Sequence, residues 1–222
     1  MPRIARVVAA GYPHHVTQRG NNRADVFFED EDRRTYLQIL KRYAEKTATS
    51  IWAFCLMSNH VHLLVVPENP ESLAACIGRT NLTYTQFINQ KYSRSGRLWQ
   101  NRFFSTVIDT DQYLWAVARY IELNPVKAGI AKQPQDYGWS SCKKTLGIEP
   151  PELVKTHEWL ADINRPGYIE FLRQANAQSD YKIRRATATG RPLGNDAFLT
   201  KLEGMLARQL LRKKAGRPKQ KK

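Results

Sequence analysis

His60 and His62 flank Val61 in the run SNHVHLLVVP. In an extended strand alternate side chains share a face, so the two imidazoles project from neighbouring pleats at a spacing that can grip one ion. Val61 and Leu63 then point to the opposite, core face, so the strand can carry two polar rings and still pack. Alone, such a pair describes satisfied or exposed histidines at least as well as a metal site. Tyr120 and Asn124 form a second constellation. Four residues apart in DQYLWAVARYIELN, they share a face of a helix and line up a phenol with an amide. By themselves they would be a rim aromatic and a helix stop before Pro125; beside two histidines they become candidates for chemistry. The remaining groups are weaker. Tyr113 lies one face-repeat before Tyr120, Tyr84 and Tyr92 read as helix packing or rim residues, and His14 and His15 read as a strand start. Cys55, in an apolar strand, reads as a buried thiol, and His157 has no partner at ligand spacing.

The elements that must hold these residues follow from periodicity. HHVTQRG reads as a short strand and DEDRRTYLQILKRYAEKTA as an amphipathic helix with acids in its first turn. IWAFCLM and HVHLLVVP, separated by Ser58 and Asn59, read as a strand pair with a hairpin-like break. ESLAACIGRTNLTYTQFINQKY carries helical spacing through Leu73, Ile77, Tyr84 and Phe87. After the loop SRSGRLWQNR, FFSTVIDT reads as a strand, and Thr110 caps a helix with Leu114, Val117 and Ile121 on one face. The first six elements match an α+β, ferredoxin-like split βαβ pattern, an antiparallel sheet with helices on one face.

The 222 residues allow one well-packed domain with some chain to spare, and 42% hydrophobic content excludes wholesale disorder. Thirty-five Lys and Arg against 20 Asp and Glu give +15, which points to a polyanion, nucleic acid before an anionic membrane. Three cysteines without a CxxC pair exclude a disulfide framework and a four-thiolate zinc site. No apolar run approaches the roughly 20 residues of a membrane span, so a cytoplasmic, nucleoid-associated protein is expected. Charge is uneven: residues 182–222 hold 13 of the cations and two acids. The reading is therefore a folded domain over 1–146, a peripheral extension and linker over 147–181, and a basic DNA-binding tail over 182–222. The chain loses apolar periodicity between Gln174 and Arg191, which reads as linker.

SNHVHLLV followed by YIELNPVKAG, with HHVTQRGNNR upstream and GRLWQNRF between them, resembles the single-tyrosine HUH transposases, in particular the REP-associated tyrosine transposase branch, over roughly residues 12–146. The resemblance implies that His60 and His62 bind a divalent metal, that Tyr120 is the nucleophile and that Asn124 supplies a third, amide ligand. Better-known members often carry Gln at that place, and Asn is shorter by one methylene. The implied chemistry is coherent. A phenol with a reference pKa of about 10 is a poor nucleophile unless a cation stabilises the phenolate or the charge developing on phosphate. Mg²⁺ or Mn²⁺ suits imidazole and amide oxygen, whereas zinc favours a closed tetrahedron. Attack would leave a 5′-phosphotyrosine and a free 3′-hydroxyl, and the retained bond energy allows rejoining without ATP.

Two loops read as DNA-holding: Arg19, Asn21, Asn22 and Arg23 after the first strand, and Arg97, Trp99, Gln100 and Arg102 before the fourth. Cations, amides and an aromatic suit phosphate contact and base stacking on single strands and hairpins, with Trp99 alternatively a core plug. TGRPLG and AGRPKQKK carry Gly-Arg-Pro cores, so Arg191 and Arg217 are candidates for entering a narrow minor groove. DAFLTKLEGMLARQLLRK between them reads as a basic amphipathic helix that either docks on the main domain or binds DNA. The function expected is a metal-dependent single-stranded DNA endonuclease and strand transferase acting at hairpin-forming repeats. The alternatives are a non-catalytic DNA or RNA hairpin-binding protein on the same fold and a replication-initiating nickase. Relatives include monomers and helix-exchanging dimers, so a homodimer stays open.

Overall fold

The strand His60–Pro67 (β3) continues past its histidines with Leu63, Leu64, Val65 and Val66, apolar on both faces, and this decides the layering. A strand of that kind must be covered twice. The computed structural model describes residues 6–149, 165–174 and 176–210. Within it, β3 is a central strand of a four-stranded sheet with His14–Arg19 (β1), Thr49–Leu56 (β2) and Phe104–Val107 (β4), in the order β2-β3-β1-β4. The pairings are antiparallel. With the helices Asp30–Lys46 (α1) and Ser72–Lys91 (α2) between the strands, this is the expected ferredoxin-like arrangement.

One face is covered by α1 and α2. Val16, Phe54, Val61, Leu63 and Val65 of the sheet bury against Tyr36 and Leu40 of α1 and Leu73, Ile77, Tyr84 and Ile88 of α2. Asp32 joins the start of α1 to the end of α2. Its carboxylate accepts the Phe28 and Glu29 backbone N–H groups at 2.8 and 3.1 Å, closing a capping box, and also accepts Lys91 Nζ at 2.8 Å and Tyr92 Oη at 2.9 Å. Burial alone would raise its pKa, but the four hydrogen bonds, that from Lys91 foremost, outweigh it and hold it below the ordinary carboxylate value.

The opposite face is not open, which departs from the one-sided layering expected. Thr110–Glu122 (α3) lays Leu114, Val117, Ala118 and Ile121 over Cys55, Leu64 and Val66. The short helices Asn124–Lys127 (α4) and Cys142–Thr145 (α5) follow, then Arg165–Arg173 (α6), Ala177–Thr189 (α7) and Asp196–Leu206 (α8). Glu122, fully buried, gathers this end: it accepts Ser141 Oγ at 2.8 Å, Thr145 Oγ1 at 2.6 Å and Tyr168 Oη at 2.9 Å.

The linker expected between Gln174 and Arg191 is instead α7. Asn176 caps it by accepting Ser179 N–H at 2.9 Å, and Gly190 ends it at φ +70°, a conformation that favours glycine. Ile183 and Ala186 bury with Leu114 and Val117. These two apolar residues, three apart in a polar helix, are too sparse a pattern to read from periodicity. Beyond it, Leu193 pairs alongside Ile108, its N–H donating to Val107 O at 2.9 Å and its carbonyl accepting Asp109 N–H at 2.8 Å. Helix α8 docks, as one of the two expectations had it: Phe198 and Leu202 bury against Val7, Ala9 and Val107. Among the described residues no helix is long and apolar enough to cross a membrane.

Candidate active site

Register places the histidines. Arg19 lies opposite His60, Thr17 opposite His62 and His15 opposite Leu64, so His15, Thr17 and Arg19 share the sheet face of the paired histidines. Thr106 and Phe104 of β4 join them through His15 and Thr17. Helix α3 crosses this face and sets Tyr120 above it. The Tyr120 ring meets His62 and His15 edge-on, with centroids 5.6 and 5.7 Å apart, and His60 lies 5.1 Å from His62. The result is a cleft of about 430 Å³ lined by His15, Arg19, His60, His62, Tyr120 and Arg184, among others.

The imidazoles are held neutral. Burial, reinforced by Arg19, lowers the His60 pKa to about 4; burial lowers His15 to about 3. His62 is depressed well below the ordinary histidine value by burial, with His15, His60 and Lys127 adding to it. A neutral imidazole is the form that ligates metal. Both cleft-facing ligand candidates already spend Nδ1: His60 Nδ1 lies 2.6 Å from Asn59 Oδ1 and His62 Nδ1 lies 3.0 Å from His15 Nε2. His14 differs, with Nδ1 on Tyr12 O at 2.8 Å and Nε2 accepting Ala9 N–H at 3.3 Å, so both its nitrogens serve the backbone. Among the described residues no group of three or more His, Cys, Asp or Glu side chains gathers to hold a metal. The groups that line the cleft and could act as donors are imidazoles and neutral side-chain oxygens, with no carboxylate or thiolate among them. That set fits Mn²⁺ or Mg²⁺ and does not make a closed zinc cage.

Tyr120 is 8% exposed, and burial raises its pKa, with Arg184 opposing and Asp180 adding to the rise. At neutral pH the phenol keeps its proton. Lys127 Nζ stands 4.8 Å from the ring centroid and pairs with Asp180 at 2.5 Å. Tyr113 faces elsewhere, lining a separate groove with Lys182, Arg185 and Arg191. Asn124 does not line the cleft. Its Nδ2 donates to Tyr120 O at 2.8 Å and Ile121 O at 3.3 Å, tying the end of α3 to the turn that follows.

The DNA-holding candidates divide. Arg19 donates through Nε and Nη2 to Gln100 Oε1 at 3.1 and 3.0 Å, and both, with Arg23, line the cleft mouth. Asn21–Arg23 is a short 3₁₀ turn, exposed throughout, held by Gly20, where a Cβ would meet Ala24 O at 2.1 Å. Arg97 and Arg102, both exposed, line a second groove of about 840 Å³ that shares Gln18 with the first. Trp99 follows the second of its two readings: its indole sits at 7% exposure against Tyr36 and Tyr84 and donates to Asn81 O at 3.3 Å, so it anchors the loop in the core while bordering the groove of Arg97 and Arg102. Arg191 is tethered where the chain runs beside β4: its carbonyl accepts Thr106 Oγ1 and its Nη1 donates to Leu210 O at 3.4 Å, while its side chain lines the groove of Tyr113, Lys182 and Arg185. Arg217 and His157 lie outside the described residues.

Sequence reading missed Arg184 and Thr187, which reach the cleft from α7, and gave His15 too little weight. With Ile183 and Ala186 its only buried apolar residues, α7 carries no periodic stripe that would have shown it. For His15, the alternation that pairs His60 with His62 also puts it on the same face once β1 and β3 are set side by side, so the signal existed only in the register.

Residues 9–124 match the family model described as Transposase IS200 like. A Haemophilus influenzae protein provisionally described as a REP-associated tyrosine transposase is 31% identical over 131 residues, 54% of this chain and 72% of that protein. The solved structure of a REP-associated tyrosine transposase bound to a REP hairpin aligns with a TM-score of 0.58 at 20% identity, over 68% of this chain and 89% of that one. At that identity the structural likeness speaks to the fold.

Proposed function

The chain belongs to the IS200-like transposase family, and from that premise we propose that it is a metal-dependent single-stranded DNA endonuclease and strand transferase acting beside hairpin-forming repeats. The observation that carries the proposal is the meeting of His60, His62 and Tyr120 in one cleft of one chain, with cationic Arg19, Arg23 and Arg184 around it. His60 and His62 would hold a divalent cation, Mg²⁺ or Mn²⁺. When bound it would polarise the scissile phosphate and favour the phenolate. Asn124, which does not line the cleft and whose nitrogen is spent on the backbone, would contribute its carboxamide oxygen through a bridging water.

Tyr120 is the nucleophile in this reading. Its Oη attacks phosphorus, the P–O3′ bond breaks, and the phenol proton is matched by one taken up at the departing 3′-oxygen. The product is a 5′-phosphotyrosine and a 3′-hydroxyl, and attack by a second 3′-hydroxyl runs the step backwards without ATP. Arg184 offsets charge at the phenolate, and the burial of Tyr120 limits water as a rival acceptor. Arg19, Asn21, Asn22, Arg23 and Gln100 would guide the single strand to the cleft, and Arg97 and Arg102 would grip the hairpin in the adjoining groove. The catalytic unit is 1–146, completed by the docked α7 and α8, and the segment beyond 210 supplies a basic arm that includes Arg217. Labelled single-stranded DNA from around the encoding gene, incubated with Mn²⁺ and denatured, should yield a covalent 5′-linked adduct. Tight binding without an adduct would leave the hairpin-binding alternative in its place.

A further inference from the structure

We propose that two hydrogen-bond chains, each ending on a backbone carbonyl, fix His60 and His62 in one tautomer, Nδ1 protonated and Nε2 bare, with Asn59, His15 and Thr187 as positioning residues. The proposal rests on the reading of His60 and His62 as cation ligands and says which atoms this chain offers and what holds them.

The longer chain starts on α7. Thr187 Oγ1 lies 2.9 Å from Ile183 O, and a carbonyl has no hydrogen to give, so the single hydroxyl hydrogen points there. His15 Nδ1 lies 2.8 Å from the same Oγ1 and must donate to it. Neutral His15 then has a bare Nε2, which faces His62 Nδ1 at 3.0 Å, so His62 supplies that hydrogen. The two ring planes differ by 9° with centroids 5.2 Å apart, the edge-to-edge disposition that an in-plane N–H···N bond requires. What remains on His62 is a bare Nε2.

The shorter chain starts in the turn after β1. Asn59 Nδ2 donates to Arg23 O at 3.0 Å, which orients the carboxamide and leaves Oδ1 facing His60 Nδ1 at 2.6 Å. An amide oxygen only accepts, so His60 Nδ1 carries the hydrogen and its Nε2 is bare. The two chains share no residue and begin on different elements, yet they impose the same tautomer, the minor one of free histidine in water. Partners of this kind fix ring orientation and raise ligand basicity. Thr187 is 125 positions from His62, so α7 reaches the histidine pair through the fold alone.

Long-range ¹H–¹⁵N spectra of metal-free protein labelled at histidine should show Nδ1 protonated and Nε2 bare at both His60 and His62. Thr187→Val keeps the β-branched shape and removes the hydroxyl. It should turn His62 into a tautomer mixture, leave His60 unchanged, and weaken Mn²⁺ binding, measured by calorimetry without DNA, by about 10-fold. Thr187→Ser should restore both readouts. Asn59→Ala should produce the mirror result, at His60 alone. An Nε2-protonated His60 or His62 in the unmutated protein overturns the proposal, as does Thr187→Val with unchanged tautomers and unchanged Mn²⁺ affinity. If the unmutated protein shows the stated tautomers and binds no Mn²⁺, the cation reading falls while the tautomer assignment stands.

Discussion

Tyr120→Phe deletes one oxygen and keeps the ring against His15 and His62, so it separates chemistry from packing more sharply than any other substitution in the cleft. Helix α3 should survive, since Leu114, Val117 and Ile121 bury its apolar face. DNA affinity should hold, cleavage should drop by orders of magnitude, and no covalent adduct should form, because a positioned phenol has no substitute in the cleft. Tyr113→Phe should leave the adduct intact, as that ring lines a different groove. Peptide mass spectrometry gives the decision: a DNA remnant on any residue other than Tyr120 refutes the assignment. His60→Ala and His62→Ala should each abolish metal-dependent cleavage and leave most DNA affinity, read by gel cleavage and filter binding in parallel; normal cutting by both would remove the metal assignment. Much of this was legible from spacing. The period of two in HVH and of four between Tyr120 and Asn124 carry their own geometry, and Tyr120 did come to the histidines. Asn124 did not line the cleft with it, because α3 ends at Glu122 and the next turn spends the amide on carbonyl groups. Spacing predicts a shared face only while the helix continues.

The elements with strong periodic patterns were readable, and those that depend on a partner surface were not. Strands β1 to β4 and helices α1 to α3 follow from alternation, caps and turn residues, each of which acts locally. The second layer was hidden, because what makes α7 a helix is that Ile183 and Ala186 find α3, and no window of sequence contains that contact. Asp32 sits between these cases: its place in the first turn of α1 was readable as an acid at a helix start, while its bonds to Lys91 and Tyr92 join two elements. A carboxylate whose folded pKa lies below its unfolded value of 3.8 binds fewer protons in the folded state than in the unfolded chain between the two. Its contribution is therefore fully present above pH 3.8 and is lost as the pH falls through the lower, folded value. Asp32→Asn should cost about 2 kcal/mol at neutral pH by denaturant titration, and the gap to the unmutated protein should narrow below that point. A gap that stays constant down to acid pH would show that Asp32 acts as a polar spacer and not as a charge.

Charge belongs to the chain in its entirety, and here the fold changes what the distribution means. Residues 182–222 hold 13 cations, which as a free tail would form one electrostatic arm, and cutting the chain at 181 would be the natural test. The structure forbids that test. Ile183, Ala186, Leu193, Phe198 and Leu202 lie buried beyond that cut, and Thr187 bonds His15 in the cleft, so the truncation would strip the second layer and damage the site together. The informative cut falls after Leu210. It removes residues 211–222, which carry seven Lys or Arg and no acid, and leaves every buried contact named above in place. The thermal midpoint should then stay where it is, as should the yield of covalent adduct at low salt. Affinity for hairpin-bearing single-stranded DNA should weaken, and log K against log salt should flatten by at most about 5, the counterion release of seven contacts to a single strand. If the slope does not change, the segment never meets phosphate, and the cations that hold DNA are those that the fold has already gathered around the cleft and its neighbouring groove.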